Sequence, residues 1–154
     1  MKKVIMTIAL IAATQVTGCA SVTRASSDAD LLAKEFIVPS NGSASVYIYT
    51  FRGTDLASGN NIYADGVCIA QLNNKAFTQI QLPAGEHIFG MESYKGANEL
   101  ITTLEPNSIT VLAAHSAAGF SYYLTEVETE DIASAKENIN SIPLVQPYVC
   151  RPIQ

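Results

Sequence analysis

Residues 62–70 read IYADGVCIA, two short runs of apolar and β-branched residues separated by Asp65 and Gly66. An Asp-Gly pair favours a two-residue turn between antiparallel strands, because both of its positions tolerate positive φ angles. The flanking runs have the composition of strands. We therefore predict a β-hairpin, with strands over residues 62–64 and 67–70.

Similar runs recur on both sides of this hairpin at intervals of about 8–12 residues, separated by turn residues. They occupy residues 46–51, 77–82, 87–94, 100–104, 109–114 and 120–127. The first, VYIYTF, is apolar on both faces, which is typical of a central strand. The spacing predicts an all-β fold, an antiparallel β-sandwich of about 7–8 strands. We place this domain over residues 45–154, with a short C-terminal helix over residues 131–139.

The composition narrows the class of protein. The chain has 154 residues, of which 48% are hydrophobic and 15% charged, and its formal net charge is −5. Enough apolar surface is available to build a core, which excludes an intrinsically disordered chain. The acidic balance argues against a nucleic-acid-binding protein, because such a protein needs a basic surface.

The N-terminus resembles the signal of a bacterial lipoprotein. Lys2 and Lys3 precede an apolar run over residues 4–13, too short for a membrane-spanning helix of about 20 residues but suited to a signal peptide. Residues 16–19 read VTGC and resemble the lipobox of these proteins. The resemblance implies cleavage between Gly18 and Cys19, diacylglycerol on the Cys19 sulfur and acylation of the freed amine. An ordinary secretory signal with a chance cysteine is the alternative.

The residues after Cys19 bear on the location of the protein. Ala20 and Ser21 follow, and neither is the Asp that serves as an inner-membrane retention signal in such lipoproteins. The resemblance thus implies attachment to the outer membrane, facing the periplasm, with the lipid as the only membrane partner. Removal of residues 1–18 leaves seven basic against fourteen acidic residues, a net charge of −7.

Residues 19–44 are rich in Ser, Thr, Ala and Asp, and we interpret them as a tether. Ser27 or Asp28 is suited to cap a short helix, and Pro39 would end it. The apolar residues of this helix are Leu31, Leu32 and Phe36.

Two further resemblances concern the β domain. Residues 63–70 and 82–87 resemble the PEGA-type surface module, with its Asp-Gly hairpin and Leu-Pro-x-Gly-x-His turn. A closer match is a family of small bacterial lipoproteins classed as a domain of unknown function. Its pattern corresponds here to residues 34–36, 46–52, 65–66, 82–87 and 122–123. The resemblance covers about residues 34–145, implies a β-sandwich and supplies no activity. The chain departs from the family at Ala70, where the family usually has Gly, and in a longer connection at residues 109–119.

Few side chains suggest chemistry. His87 follows the Pro-Ala-Gly turn and is either a ligand or base, or a residue that fixes the turn; the second fits better because neither His nor Cys is near it in the sequence. His115 and Ser116 are neighbours on a strand, so their side chains point to opposite faces and do not form a nucleophile and base. We predict no catalytic residues and no cofactor.

Four charged residues are candidate sites. Glu126, Glu128 and Glu130 alternate, so a strand would place them on one face, either as a cation site or as a solvated acidic edge; the edge is favoured. Arg52 ends the first strand, where it is suited to pair with a carboxylate. We predict no metal site.

Cys68 and Cys150 remain after lipidation of Cys19. The periplasm is oxidising, so we predict a structural disulfide that fixes the C-terminal segment to the hairpin. Two buried thiols are the alternative.

Together these observations indicate a lipid-anchored periplasmic binding or scaffold module, whose partner would be an envelope protein or peptidoglycan. The alternatives are a carrier of a small apolar ligand and an envelope enzyme of unrecognised type.

Overall fold

The computed structural model describes residues 22–51, 59–92, 98–117 and 121–151. Its eight strands form two four-stranded sheets. The strands are β1 (Ser43–Thr50), β2 (Asn60–Ala64), β3 (Val67–Leu72), β4 (Ala76–Pro83), β5 (Gly85–Met91), β6 (Glu99–Leu104), β7 (Ser108–Ala117) and β8 (Ser121–Glu126). Sheet I has the order β4-β1-β7-β8, and sheet II has the order β3-β2-β5-β6. The predicted all-β sandwich is confirmed.

One strand pair departs from the predicted antiparallel arrangement. β1 and β7 are parallel, with residues 44–49 beside residues 108–113. The chain leaves sheet I after β4, forms β5 and β6 in sheet II, and re-enters sheet I in the direction of β1. A parallel pair needs such a long crossover, because a tight turn reverses the chain.

The predicted hairpin is confirmed as β2 and β3. Asp65 and Gly66 have φ angles of 50° and 76°, as a two-residue turn of this type requires. The register shifts between Ile62 and Tyr63, which marks a β-bulge.

The main core fills the space between the two sheets. Its largest side chains are fully buried and come from both inner faces: Val46, Ile48, Ile62, Ile69, Leu72, Phe89, Leu104 and Leu112. Burying a side chain of this size contributes about 1.5–3 kcal/mol. This core therefore supplies most of the driving force for folding.

A second core covers the outer face of sheet I. Tyr47, Phe77 and Val111 are buried there beneath helices α1 (Ser27–Ala33) and α2 (Ile132–Asn140). A short 3₁₀ turn, Thr129–Asp131, precedes α2 and places the start of the helical region two residues before its predicted position. β1 is consequently buried on both faces, as its sequence indicates.

The segment interpreted as a tether is packed on the sandwich. The hydroxyl of Tyr47 donates a hydrogen bond of 2.8 Å to the carbonyl of Ala33, and the rings of Phe36 and Tyr47 lie 4.8 Å apart. Asp30 accepts from the backbone N–H of Leu144 at 2.6 Å. These contacts pack the described part of this stretch against the sandwich.

Helix α1 also differs in detail from its prediction. Ser26 caps it, with its hydroxyl oxygen 3.3 Å from the backbone nitrogen of Ala29, one residue before the expected cap. Leu31 and Leu32 are 65% and 60% exposed, whereas Ala33 is buried. The small side chain of Ala33 faces the sheet. A larger one would not fit there, because the backbone of α1 is close enough to Tyr47 to accept a hydrogen bond from its hydroxyl. Within the described ranges, no helix is long and apolar enough to cross a membrane.

Candidate functional site

A C-terminal segment, residues 142–151, runs along the side of the sandwich where β4 and β3 are the sheet edges, and we name it the C-terminal strap. Phe77 of β4 donates its N–H to the carbonyl of Pro143 at 3.1 Å and accepts from the N–H of Val145 at 2.8 Å. The strap therefore satisfies the backbone of an edge strand that would otherwise be open to pairing with another chain.

The first described residues pair with the other side of the strap. Ala25 donates its N–H to the carbonyl of Leu144, and Gln146 donates to the carbonyl of Thr23, both at 2.9 Å. Arg24 and Val145 form an antiparallel bridge. The strap thus lies between the N-terminal segment and β4, and joins the two through backbone hydrogen bonds.

The far end of the strap is fixed to sheet II by a disulfide. Cys68 of β3 and Cys150 are bonded, with their Cα atoms 6.5 Å apart, inside the range that such a bond needs. The predicted pairing is confirmed. Tyr148 also donates its backbone N–H to the carbonyl of Ile69 in β3.

Asn61 binds Arg151, the residue after Cys150, through both the nitrogen and the oxygen of its side-chain amide. Its side-chain NH₂ donates to the carbonyl of Arg151 at 2.9 Å, and its side-chain oxygen accepts from the N–H of Arg151 at 3.0 Å. The guanidinium of Arg151 donates to the carbonyl of Gly59 at 2.8 Å and lies 3.5 Å from the carboxylate of Glu92. Asn61 is 1% exposed, so a buried amide gains its partners from the strap.

His87 joins two turns of the sandwich. Its Nδ1 lies 2.7 Å from a carboxylate oxygen of Asp65 in the hairpin, and its Nε2 lies 2.9 Å from the carbonyl of Pro83. Asp65 accepts a second bond from the N–H of Ile88 at 3.0 Å. Both ring nitrogens face acceptors, so the doubly protonated imidazole satisfies this arrangement best.

The titration of this pair follows from its geometry. Burial lowers the pKa of His87, but the hydrogen bonds to Asp65 and Pro83 and the charge of Asp65 outweigh it, and the net shift is upward. The hydrogen bond from Ile88, then that from His87, holds the pKa of Asp65 below its usual value. His87 therefore links two turns, with its raised pKa favouring the charged form, which agrees with the structural role preferred for it from the sequence.

His115 lies in a groove on the outer face of sheet I beside α2. The groove has a volume of about 290 Å³, and its polar lining includes Tyr49, His115, Thr125, Asp131 and Ser134. The Nε2 of His115 is 2.9 Å from the hydroxyl of Thr125, and its ring stacks on Tyr123 at 5.2 Å. Burial raises the pKa of Tyr49, so its hydroxyl stays neutral and offers hydrogen bonds.

The three alternating glutamates do not share a strand face. β8 ends at Glu126, and Glu130 lies in the 3₁₀ turn. The chain turns toward α2 after Glu126, so the shared face that a strand would have given the three glutamates does not form. In the part of the chain that the structure describes, no group of three or more His, Cys, Asp or Glu side chains is placed to hold a metal ion.

Several predicted residues lie outside the described ranges. These are Gly18 and Cys19 of the lipobox, and Arg52 after β1. Conversely, sequence reasoning missed Asn61, Tyr148 and Arg151. A polar residue at the start of a strand beside a predicted hairpin was a signal for Asn61, since a buried amide needs a partner.

Comparison with known proteins adds no relative to this description. The chain matches no protein-family model, and a search of curated proteins found no match either.

Proposed function

We propose that this chain is a lipid-anchored periplasmic module of the bacterial envelope, attached to the outer membrane through Cys19, that binds or scaffolds an envelope protein or peptidoglycan. The observation that carries the proposal is the order of Lys2 and Lys3, the apolar run over residues 4–13 and the VTGC box at residues 16–19.

The interior of the sandwich favours a module that works through its surface. The space between the sheets is where a carrier would hold an apolar ligand. Here buried side chains of both sheets occupy it, among them Ile48, Leu72 and Phe89. The groove beside α2 and a second groove, which Arg24 and Leu31 help to line, lie on the outside of the molecule. This placement supports a binding or scaffold role over a carrier.

The two histidines also favour binding over catalysis. Both ring nitrogens of His87 are engaged by Asp65 and Pro83, so neither is open to a substrate. The Nε2 of His115 lies on the Thr125 hydroxyl, and Ser116, the next residue of β7, points to the opposite face of the sheet. A general base needs a free nitrogen within hydrogen-bond reach of the proton it removes.

The anchor is tested by replacing its acceptor. In cells fed labelled palmitate, the Cys19→Ser variant should accumulate as an uncleaved precursor without label, because lipidation requires the thiol. Cys150→Ser is the matched control, since it also removes one thiol and should still be labelled and cleaved. Normal maturation of Cys19→Ser would refute the lipid anchor.

The binding role is tested in living cells by crosslinking. A photoreactive residue replacing Ser134, in the groove beside α2, should give discrete adducts that mass spectrometry identifies as an envelope protein or peptidoglycan. If this position and others across the surface yield no macromolecular adduct, a binding or scaffold role is excluded.

A further inference from the structure

We infer that the exposed side chains of Tyr148 and Val149 rest on the phospholipid surface, so that the anchored domain has one fixed orientation on the bilayer. The inference depends on the proposed lipid anchor at Cys19. It adds a second, non-covalent membrane contact, made by the C-terminal strap rather than by the lipid.

Tyr148 and Val149 form an exposed apolar pair beside the disulfide. Tyr148 is 62% exposed and Val149 is 41% exposed, although they are adjacent and immediately precede the disulfide-bonded Cys150. The backbone on which they sit is fixed by the hydrogen bond of Tyr148 to Ile69 and by the bond of Cys150 to Cys68. Tyrosine combines an apolar ring with a polar tip, which suits the boundary between lipid and water.

The backbone at Tyr148 is strained. Its φ angle is 59°, in the left-handed region that bulky residues rarely adopt. The hydrogen bond from its N–H to Ile69 and the disulfide two residues later hold it there. Such strain persists where the surrounding structure enforces it, and it is concentrated at functional positions. Here the strained turn directs the ring into solvent instead of into the core.

The exposed pair lies where the chain leaves the domain toward Cys19. The carbonyl of Thr23 accepts a hydrogen bond from Gln146, two residues before Tyr148. The side chain of Val22 lies beside Gly59, whose carbonyl binds Arg151, the residue after Cys150. The N-terminal exit and the end of the strap therefore share one end of the sandwich.

The short connection to Cys19 brings this end to the bilayer. Val22 is three positions after Cys19, so their Cα atoms are at most about 11 Å apart. A folded chain of about 130 residues has a radius of gyration of about 14 Å, which exceeds that reach. The domain is consequently held against the headgroups by the end that carries Tyr148. Arg24 is exposed in the paired N-terminal segment, and its charge suits the headgroup phosphates.

The chain contains no tryptophan, so one substitution gives a unique fluorescent reporter. Full-length lipidated Tyr148→Trp is reconstituted into vesicles of phosphatidylethanolamine and phosphatidylglycerol, with and without bromine-labelled acyl chains. The matched control is Tyr123→Trp, since Tyr123 is 39% exposed on β8, at the opposite edge of sheet I from the strap. Val149→Trp is a second reporter in case Tyr148→Trp fails to fold.

We expect brominated lipid to remove most of the emission of the indole at position 148 or 149, with a shift to shorter wavelength, and to leave the indole at position 123 unchanged. Flotation of each variant with the vesicles reports the anchor separately. If the variants float but brominated lipid quenches neither indole in the strap, or quenches position 123 equally, the oriented contact is refuted. If they do not float, the lipid anchor itself is refuted, and the inference falls with it.

Discussion

The disulfide between Cys68 and Cys150 should account for a large part of the stability of the domain. The two cysteines are 82 residues apart in the sequence, so the bond restricts most of the unfolded chain. In the chain-entropy treatment, closing a loop of this length stabilises the folded state by about 4–5 kcal/mol. The native contacts of the strap with Ile69 and Asn61 do not depend on the bond, so its loss acts mainly through the unfolded state.

The assay is urea unfolding of a soluble protein that begins at Ala20, followed by circular dichroism with and without reductant. With a slope of about 2 kcal/mol/M, reduction should lower the midpoint by about 2 M. Cys68→Ala/Cys150→Ala is the matched control, and it should unfold at the lower midpoint in both conditions. Thiol titration of the denatured, unreduced protein should find almost no free thiol. Two free thiols per chain, or a midpoint shift below about 0.5 M, would refute this reasoning.

Two further outcomes follow from contacts of α1 and of His87. A protein that begins at Ala44 loses the hydrogen bond of Tyr47 to α1 and the packing of Phe36. It should therefore be about 3 kcal/mol less stable than a protein that begins at Ala20. Equal urea midpoints of the two proteins would show that α1 is dispensable. Replacement of His87 by Asn should lower the free energy of unfolding most between about pH 4 and 6.5. The pKa of His87 is raised in the folded state, so the stabilisation by the pair is lost as the pH rises through that pKa. The pKa of Asp65 is lowered in the folded state, so the stabilisation is also lost as the pH falls through that pKa. Asp65 is half exposed, so the difference is only about 0.5–1 kcal/mol, and a pH-independent difference in unfolding free energy would contradict a charged link.

The strands could be predicted because their signals are local. The alternation of apolar residues and the turn at Asp65-Gly66 depend on a few adjacent residues, and the structure has strands at every predicted run. The disulfide could be predicted for another reason, since only two cysteines remain once Cys19 is assigned to the lipid. Composition and short-range pattern therefore determine most of the fold.

The arrangement of the two ends was not predictable in this way. The pairing of Ala25 with Leu144 and of Asn61 with Arg151 joins residues that are far apart in the sequence, the second pair by 90 positions. Neither the N-terminal segment nor the strap has the alternation of apolar and polar residues that marks a strand, because each makes only a few ladder hydrogen bonds. The Ser- and Asp-rich composition of residues 19–44 indicated a tether, yet Asp30 and Phe36 bind specific partners on the folded domain. Sequence pattern reports what a segment can form by itself, not which distant surface it meets.

The position of the strap limits the order in which parts of the domain can pack. The eight strands end at Glu126, so both sheets can assemble before residues 142–151 have emerged. Residues 23–25 gain their backbone partners only when Leu144 and Gln146 arrive, because the strap lies between them and β4. The bond between Cys68 and Cys150 then holds the strap, and through it residues 23–25, against the sandwich.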